Sequence, residues 1–439
     1  MAITITNDKT INLTLNTKFK IKLTAKGGTK PYSWSTKSTL PNGITLTSKG
    51  ILKGSAKEAG IFKKIVIIAK DSSGEKAKKR FKIVVFSPPS PKNAPNYFLM
   101  SNYGGEDISS LNKSYTGFYS SDAITWTKTE LPNSVNANGT AYGNNVYIVV
   151  DKFSKSVYFS FDCEKWESSS LPPSFNFDNE KNLFATPLFA NNSFYILSFD
   201  GSQYATSKDG MNWTGGATGF TVKNPGHVIS GTYGLGKVIF CSTSGEIITT
   251  IDEGKNWTIN EVIAASEPRN QAWAGIAFGN GKFVMVENGG YASREPLKSY
   301  WAFSENGISW NFGFLPDRGG WNGVIYNGYS QIFIATAYSQ TIDPEPIGLL
   351  AQIEHDDNWD EFSSWSVNES LLIYYASKSP NSIRIQPYGN KKALIAINNL
   401  SGSSEILVGE NGGVYWTKET FNESVVEGLW SAASKIYSI

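Results

Sequence analysis

Residues Ser207–Thr214 read SKDGMNWT: a hydroxyl, an acid two positions on, a glycine and a tryptophan within one short stretch. The phrase returns as SSDAITWT from Ser120, SFDCEKWE from Ser160, TIDEGKNWT from Thr250 and SENGISWN from Ser304. A catalytic site is built once, so a phrase written this often is read as architecture. Its tryptophans, Trp126, Trp166, Trp213, Trp257 and Trp310, lie 40 to 53 residues apart. A period of that size points to a propeller or another repeat array.

The phrase has a physical reading. An Asp at a hairpin tip accepts hydrogen bonds from nearby backbone N–H groups and fixes the turn. The Ser or Thr sits one strand position earlier on the same side, and the Trp opens the next strand and fills space between sheets. A second phrase alternates with it: strand, tight turn, strand. Examples are TAYGNNVYIVV from Thr140, LFANNSFYIL from Leu188, GTYGLGKVIFC from Gly231 and AFGNGKFVMV from Ala277. VIYNGYSQIFIA from Val324 and QPYGNKKALIAI from Gln386 continue the series. The NN, NG and LG steps suit hairpin turns that need positive φ.

The Ser/Thr phrase resembles the Asp-box of sialidase-like and sortilin-like β-propellers. Thr250, Asp252, Gly254 and Trp257 match its spacing in full. The copies at Asp122, Asp162 and Asp209 are one residue shorter, and the copy at Ser304 carries Asn306 in the acid position. A sixth, worn copy is read as ending at Trp359, and a seventh position falls near GGVYWTKETFNES. The first repeat lacks an inner strand, which the C-terminal LWSAASKIYSI supplies by closing the ring. The expected fold is therefore all-β, with a seven-bladed propeller over residues 96–439; six or eight blades stay open.

Residues 1–86 form a different unit. ITIT, INLTLN, FKIKLTA, KKIVIIAKD and KKRFKIVVF alternate as strands, separated by turn signals at Gly27-Gly28, Pro41-Asn42-Gly43 and Ser73-Gly74. Short alternating strands of this number make a β-sandwich. The motif order KPYSW, LPNGI, GILKGS, AGIF and DSSG resembles the cadherin-like, Ig-like modules of bacterial and phage surface proteins. The resemblance implies a fold and a spacer or docking role, with Tyr32 and Trp34 packing in the core or at its edge. Residues 87–95, SPPSPKNAP, carry four prolines and read as a stiff linker.

The 439 residues carry a net charge of only +2, but unevenly. Residues 1–90 hold 18 Lys+Arg against 4 Asp+Glu, leaving 22 against 34 of the chain's 40 and 38. A basic head on an acidic body points to a docking surface, although the same lysines also suit a solvated β surface that resists edge aggregation. Two cysteines and two histidines in unrelated segments make neither a disulfide framework nor a zinc site. No cofactor motif is present, and nucleic acid is not an expected partner. The start MAITITNDK is not a signal peptide, and no apolar run reaches the length of a membrane helix.

In sialidase-like propellers the site lies on the face opposite the box turns, in the loops between blades and between second and third strands. Two neighbouring blades stand out there. SEPRNQAW contributes Arg269 and Trp273; ENGGYASREPLKSYW contributes Arg294 and Glu295; PDRGGWNG contributes Asp317, Arg318 and Trp321. Three of the propeller's four arginines thus fall on one expected face. Arginine forks with carboxylates or phosphates, and aromatic faces stack on sugars. The same arginines also suit salt bridges to Glu267, Glu295 and Asp317 that pin long loops.

No catalytic residues are expected. The sialidase-like F/Y-R-I-P motif is missing, no carboxylate pair is identifiable by spacing, and no GxSxG, phosphate loop or HExxH occurs. An Ig-like module, a proline linker and a propeller together resemble bacteriophage virion proteins. The expected role is a non-enzymatic virion structural or adhesion protein. Its basic domain docks on other virion proteins, and its propeller faces host surface glycan. A sialidase-like glycosidase and an intracellular scaffold are the alternatives.

Overall fold

The computed structural model describes residues 2–7, 9–16, 18–86, 95–102, 116–122, 125–132, 135, 137–151, 154–175, 187–264, 271–288, 299–315, 320–327, 332–339, 347–354, 365–367, 380–388, 392–399, 404–410, 415–420 and 429–434. Their regular structure is entirely β. Two compact units divide at Asn93/Ala94, inside the proline-rich segment.

The first unit is a sandwich of nine strands: β1 (Thr4–Ile5), β2 (Thr10–Thr14), β3 (Lys18–Lys22), β4 (Ala25–Lys26), β5 (Ser33–Thr36), β6 (Ile44–Leu46), β7 (Ile51–Ser55), β8 (Gly60–Lys70) and β9 (Lys76–Phe86). One sheet runs β2-β9-β8-β5, the other β3-β7-β6, and β1 pairs with β4. The period-two pattern of β9 decides its faces. Phe81, Ile83 and Val85 are buried with Ile11, Leu13, Leu52 and Ile67, while Lys76, Lys78, Arg80 and Lys82 point outward and are exposed. Trp34 is in this core, and the half-buried Tyr32 hydroxyl donates to the Gly27 carbonyl at 2.6 Å. Asp71 fixes the DSSG turn by accepting from the amides of Thr29, Ser73 and Glu75. These bonds, the Thr29 amide foremost, hold its carboxyl below the usual range. Lys79 lies on the inner side of β9, and its Nζ donates to the carbonyls of Ile5 and Asn7. It ties β1 to β9 and is no part of the outward basic face.

The second unit contains seven four-stranded sheets among the described residues. The first holds β10 (Tyr97–Asn102), β11 (Thr116–Ser120) and β12 (Thr127–Glu130); the second, β13 (Ala137–Gly143), β14 (Val146–Asp151), β15 (Ser156–Ser160) and β16 (Glu167–Ser170). The third holds β17 (Leu188–Ala190), β18 (Ser193–Leu197), β19 (Gln203–Ser207) and β20 (Thr214–Ala217). The fourth holds β21 (Val228–Gly234), β22 (Lys237–Ser242), β23 (Glu246–Thr250) and β24 (Thr258–Glu261). The fifth holds β25 (Trp273–Gly279), β26 (Lys282–Glu287), β27 (Tyr300–Ser304) and β28 (Asn311–Phe314). The sixth holds β29 (Gly320–Asn327), β30 (Ile332–Ser339), β31 (Ile347–Glu354) and β32 (Ser366–Val367). The seventh holds β33 (Pro380–Tyr388), β34 (Lys392–Asn399), β35 (Ser404–Glu410) and β36 (Tyr415–Thr420). The C-terminal β37 (Leu429–Ser434) pairs antiparallel with β10, from Tyr97 opposite Ser434 to Asn102 opposite Leu429. It fills the missing first position of the first sheet.

Each of these sheets is strictly antiparallel, and all but the first run in chain order, a propeller-like arrangement. First strands of successive sheets neighbour one another: β13 beside β17, β21 beside β25, β25 beside β29, β29 beside β33. The hairpins that start the sheets turn through residues with positive φ, at Asn144-Asn145, Asn191-Asn192, Leu235-Gly236 and Asn280-Gly281. Positive φ at both central positions is the mirror-image turn whose twist matches the strands. The glycine before three of these turns has a packing reason. A Cβ on Gly143 would lie 2.1 Å from the Phe189 ring, one on Gly234 2.2 Å from Phe278, and one on Gly279 1.9 Å from Tyr326. Each bare glycine seats an aromatic ring from the next sheet.

The repeated tryptophans pack as the sequence implies. Trp166, Trp213 and Trp257 are buried. Trp166 lies 4.9 Å from Phe98 of the first sheet and donates to Thr129 Oγ1 there at 3.1 Å. Trp257 lies 5.5 Å from Tyr204 of the third sheet. The sixth copy requires a correction. Each repeated tryptophan immediately precedes the fourth strand of its sheet, and before β32 that residue is Trp365, not Trp359. Trp365 is buried against Trp301, with ring centroids 5.9 Å apart. Trp359 lies outside the described residues.

Candidate binding face

The strand order gives the second unit two unlike faces. First-to-second and third-to-fourth strand turns share one face. Second-to-third connections and the links between sheets share the other.

On the first face, one hydrogen-bond pattern recurs. The hydroxyls of Ser120, Ser160, Ser207 and Thr250 donate to Oδ1 of Asp122, Asp162, Asp209 and Asp252 at 2.9, 3.1, 3.0 and 3.0 Å. The same Oδ1 atoms accept the amides of Thr125, Lys165, Asn212 and Asn256. Asn306 substitutes its amide oxygen, accepting from Ser304 Oγ at 3.2 Å and from the Ile308 and Ser309 amides. The indole N–H then closes the turn: Trp166 donates to Cys163 O, Trp213 to Gly210 O and Trp257 to Gly254 O. Bonds to the ionised carboxylate, the Asn256 amide foremost, hold the Asp252 carboxyl below its usual range. In the fifth copy asparagine keeps the side-chain acceptor without a negative charge, but the indole bond is not kept, because the buried Trp310 Nε1 has no hydrogen-bond partner.

The second face is supported differently in each sheet. Between β18 and β19, Ser198 Oγ donates to Asp200 Oδ1 at 2.7 Å, and the same oxygen accepts from Ser202 Oγ at 2.8 Å. At the start of β23, buried Glu246 accepts from Ser244 Oγ at 2.7 Å and from the Lys223 amide at 2.9 Å. The His227 ring stacks flat on Phe199, 4.1 Å between centroids and 6° between planes, with Nδ1 3.2 Å from Thr243 Oγ1. Burial lowers the His227 pKa from its ordinary value. In the fifth sheet, fully buried Glu287 accepts from the Tyr300 amide at 2.8 Å, and fully buried Gln271 accepts from the Ala264 amide at 3.2 Å. These two bonds clamp the bases of the connections 288–299 and 264–271. Sequence reading missed these supports, although Ser198-Phe199-Asp200 repeats the Ser-x-Asp spacing without a tryptophan.

Of the residues proposed to bind ligand, Arg269, Arg294, Glu295, Asp317 and Arg318 lie outside the described residues, as does Glu267. Trp273 and Trp321 are described, and both correct the expectation: each is fully buried. Trp273 Nε1 donates to Val262 O at 3.1 Å, and its ring packs with Phe283 and Ala302. Trp321 packs with Trp301, Phe333 and Trp365. Both sit at the start of a first strand, beside a register shift two residues before Gly275 and Gly323. Those glycines meet each other, because a Cβ on Gly275 would fall 3.0 Å from the Gly323 Cα. Neither indole face is available for stacking on a ligand. The W-x-G spacing shared by the two blades was the signal that they belong to the repeat.

Cys163 and Cys241 are free and buried, and burial pushes the Cys241 thiol up to about 12. Among the described residues no three His, Cys, Asp or Glu side chains converge as metal ligands, and no helix is long and apolar enough to cross a membrane.

Residues 2–86 match the family described as Putative Ig domain, and the first unit is accordingly an Ig-like domain. No curated protein matches the chain. Among solved structures, YCF48 bound to D1 peptide is 15% identical, covering 65% of this chain and 82% of that one, with a TM-score of 0.44. YCF48 from Cyanidioschyzon merolae is 14% identical over 66% of this chain and 86% of that one, with a TM-score of 0.44. A virginiamycin B lyase from Staphylococcus aureus is 11% identical over 84% and 96%, with a TM-score of 0.44. No function follows from likeness at this level.

Proposed function

We propose that this chain is a non-enzymatic structural and adhesion protein of a bacteriophage particle. Its Ig-like domain docks on other virion proteins, and its propeller is a closed, Asp-box-stapled scaffold displayed toward host surface glycan. The observation that carries the scaffold reading is the use of the repeated acids. Asp122, Asp162, Asp209 and Asp252 each spend an oxygen on their own turn, and Asn306 does the same work without a charge. The acids written most often in the chain are therefore structural acceptors, not a catalytic set. The contrast in charge supports docking by the first unit, and the clamped bases of the fifth-sheet connections support ligand contact on the second face. Arg269, Arg294 and Arg318 remain the proposed anion contacts there; Trp273 and Trp321 do not.

The test has two parts. Purified particles are probed for the protein, and the purified chain is applied to host polysaccharide while released sugar is measured. Presence in particles, with saturable binding and no release, supports the proposal. Released sugar favours a glycosidase. Absence from particles favours an intracellular scaffold.

A further inference from the structure

The outer face of the β3-β7-β6 sheet carries an open groove of about 510 Å³. Gly43 and Gly54 leave part of its floor bare, and the reason is backbone approach. A Cβ on Gly43 would fall 2.1 Å from the Ser55 carbonyl oxygen, and one on Gly54 would fall 2.0 Å from that of Gly43. Around this bare floor stand Lys18, Lys20 and Lys53, with Phe19 and Ser55 also lining the groove. The register sets Lys20 directly opposite Lys53, and Lys18 opposite Ser55.

Like charges directly opposite on neighbouring strands destabilise a sheet. No acid lines the groove, and none of the three lysines takes part in an ion pair among the described residues.

We propose that this groove binds an organic phosphate ester. Lysine ammonium groups are compact charges with rotatable donors, which suit a tetrahedral oxyanion. A planar carboxylate is better served by the fixed fork of arginine, and the groove has none. The lysine stems give the organic part of the ester an apolar wall. The site lies wholly within the Ig-like unit and does not depend on the virion reading.

The test is isothermal titration of the full chain with inorganic pyrophosphate and with glycerol 3-phosphate, using citrate as the carboxylate control. Saturable binding of both phosphates, with weaker binding of citrate, is expected. The variant K20Q/K53Q should weaken phosphate binding at least about tenfold, the scale of losing charge-assisted hydrogen bonds. The variant K78Q/R80Q removes the same charge from the outward face of β9 and should change binding less than about twofold. Absence of saturable binding, citrate binding as tightly as phosphate, or equal losses in the two variants would overturn the proposal.

Discussion

The two faces of the second unit are built by opposite rules. On the turn face, one hydroxyl, one side-chain acceptor and one tryptophan recur from sheet to sheet with nearly the same bond lengths. On the other face, each sheet finds its own support: an Asp between two serines, a glutamate under a lysine amide, a histidine on a phenylalanine, a buried glutamine and glutamate. Repetition marks the residues that hold sheets together. The unrepeated face is where sheets of one fold differ, and so where recognition can be placed without disturbing the core.

The comparison breaks most easily at the inter-sheet tryptophans. Trp213→Ala should cost about 3–5 kcal/mol, the range for truncating a large core aromatic. Urea unfolding of the variant checks it, and an unchanged midpoint would place Trp213 outside the core. A smaller effect is expected where sheets meet at bare glycines. Gly279→Ala puts a methyl where the Tyr326 ring sits, and overpacking of this kind costs about 1–3 kcal/mol. The same assay reads it, and a stabilised variant would mean that Tyr326 has room to move.

The smallest effect belongs to the unrepeated face and sharpens the contrast. The folded protein holds His227 neutral more readily than the unfolded chain does, because burial lowers its pKa. The unfolded state then binds the proton more tightly, so stability is full above the ordinary histidine value of about 6.5 and declines as pH falls below it. His227→Gln should flatten that part of the profile in melting curves taken from pH 8 to pH 5. Identical profiles for variant and wild type would remove His227 as the cause.

Much of the repeat was legible because it rests on local chemistry. A Ser-x-Asp turn, an Asn-Asn step at positive φ and a tryptophan opening a strand each satisfy needs within a few residues, so short stretches reveal them. The identity of the sixth tryptophan was not legible, since Trp359 and Trp365 both follow acidic stretches and only strand pairing separates them. Trp273 and Trp321 misled for a related reason. Each sits beside charged residues in sequence, while a register shift and the approach of Gly275 to Gly323 enclose it in three dimensions. Lys79 shows the same limit: it reads as one more surface lysine until β1 is found against its ammonium group. The groove floored by Gly43 and Gly54 depends on two strands crossing closely, which no single stretch records.

The central claim is that the repeated turn residues contribute more to stability than the candidate ligand contacts. Asp209→Ala and Arg294→Ala, unfolded side by side in urea, test it directly. Asp209 accepts from two backbone amides and two side chains, so its loss leaves several donors unpaired and should cost about 1–3 kcal/mol. Arg294, in the unrepeated segment between β26 and β27, should change stability by no more than about 0.5 kcal/mol. An Asp209→Ala protein as stable as wild type, or an Arg294→Ala protein that loses more than it, would contradict the account.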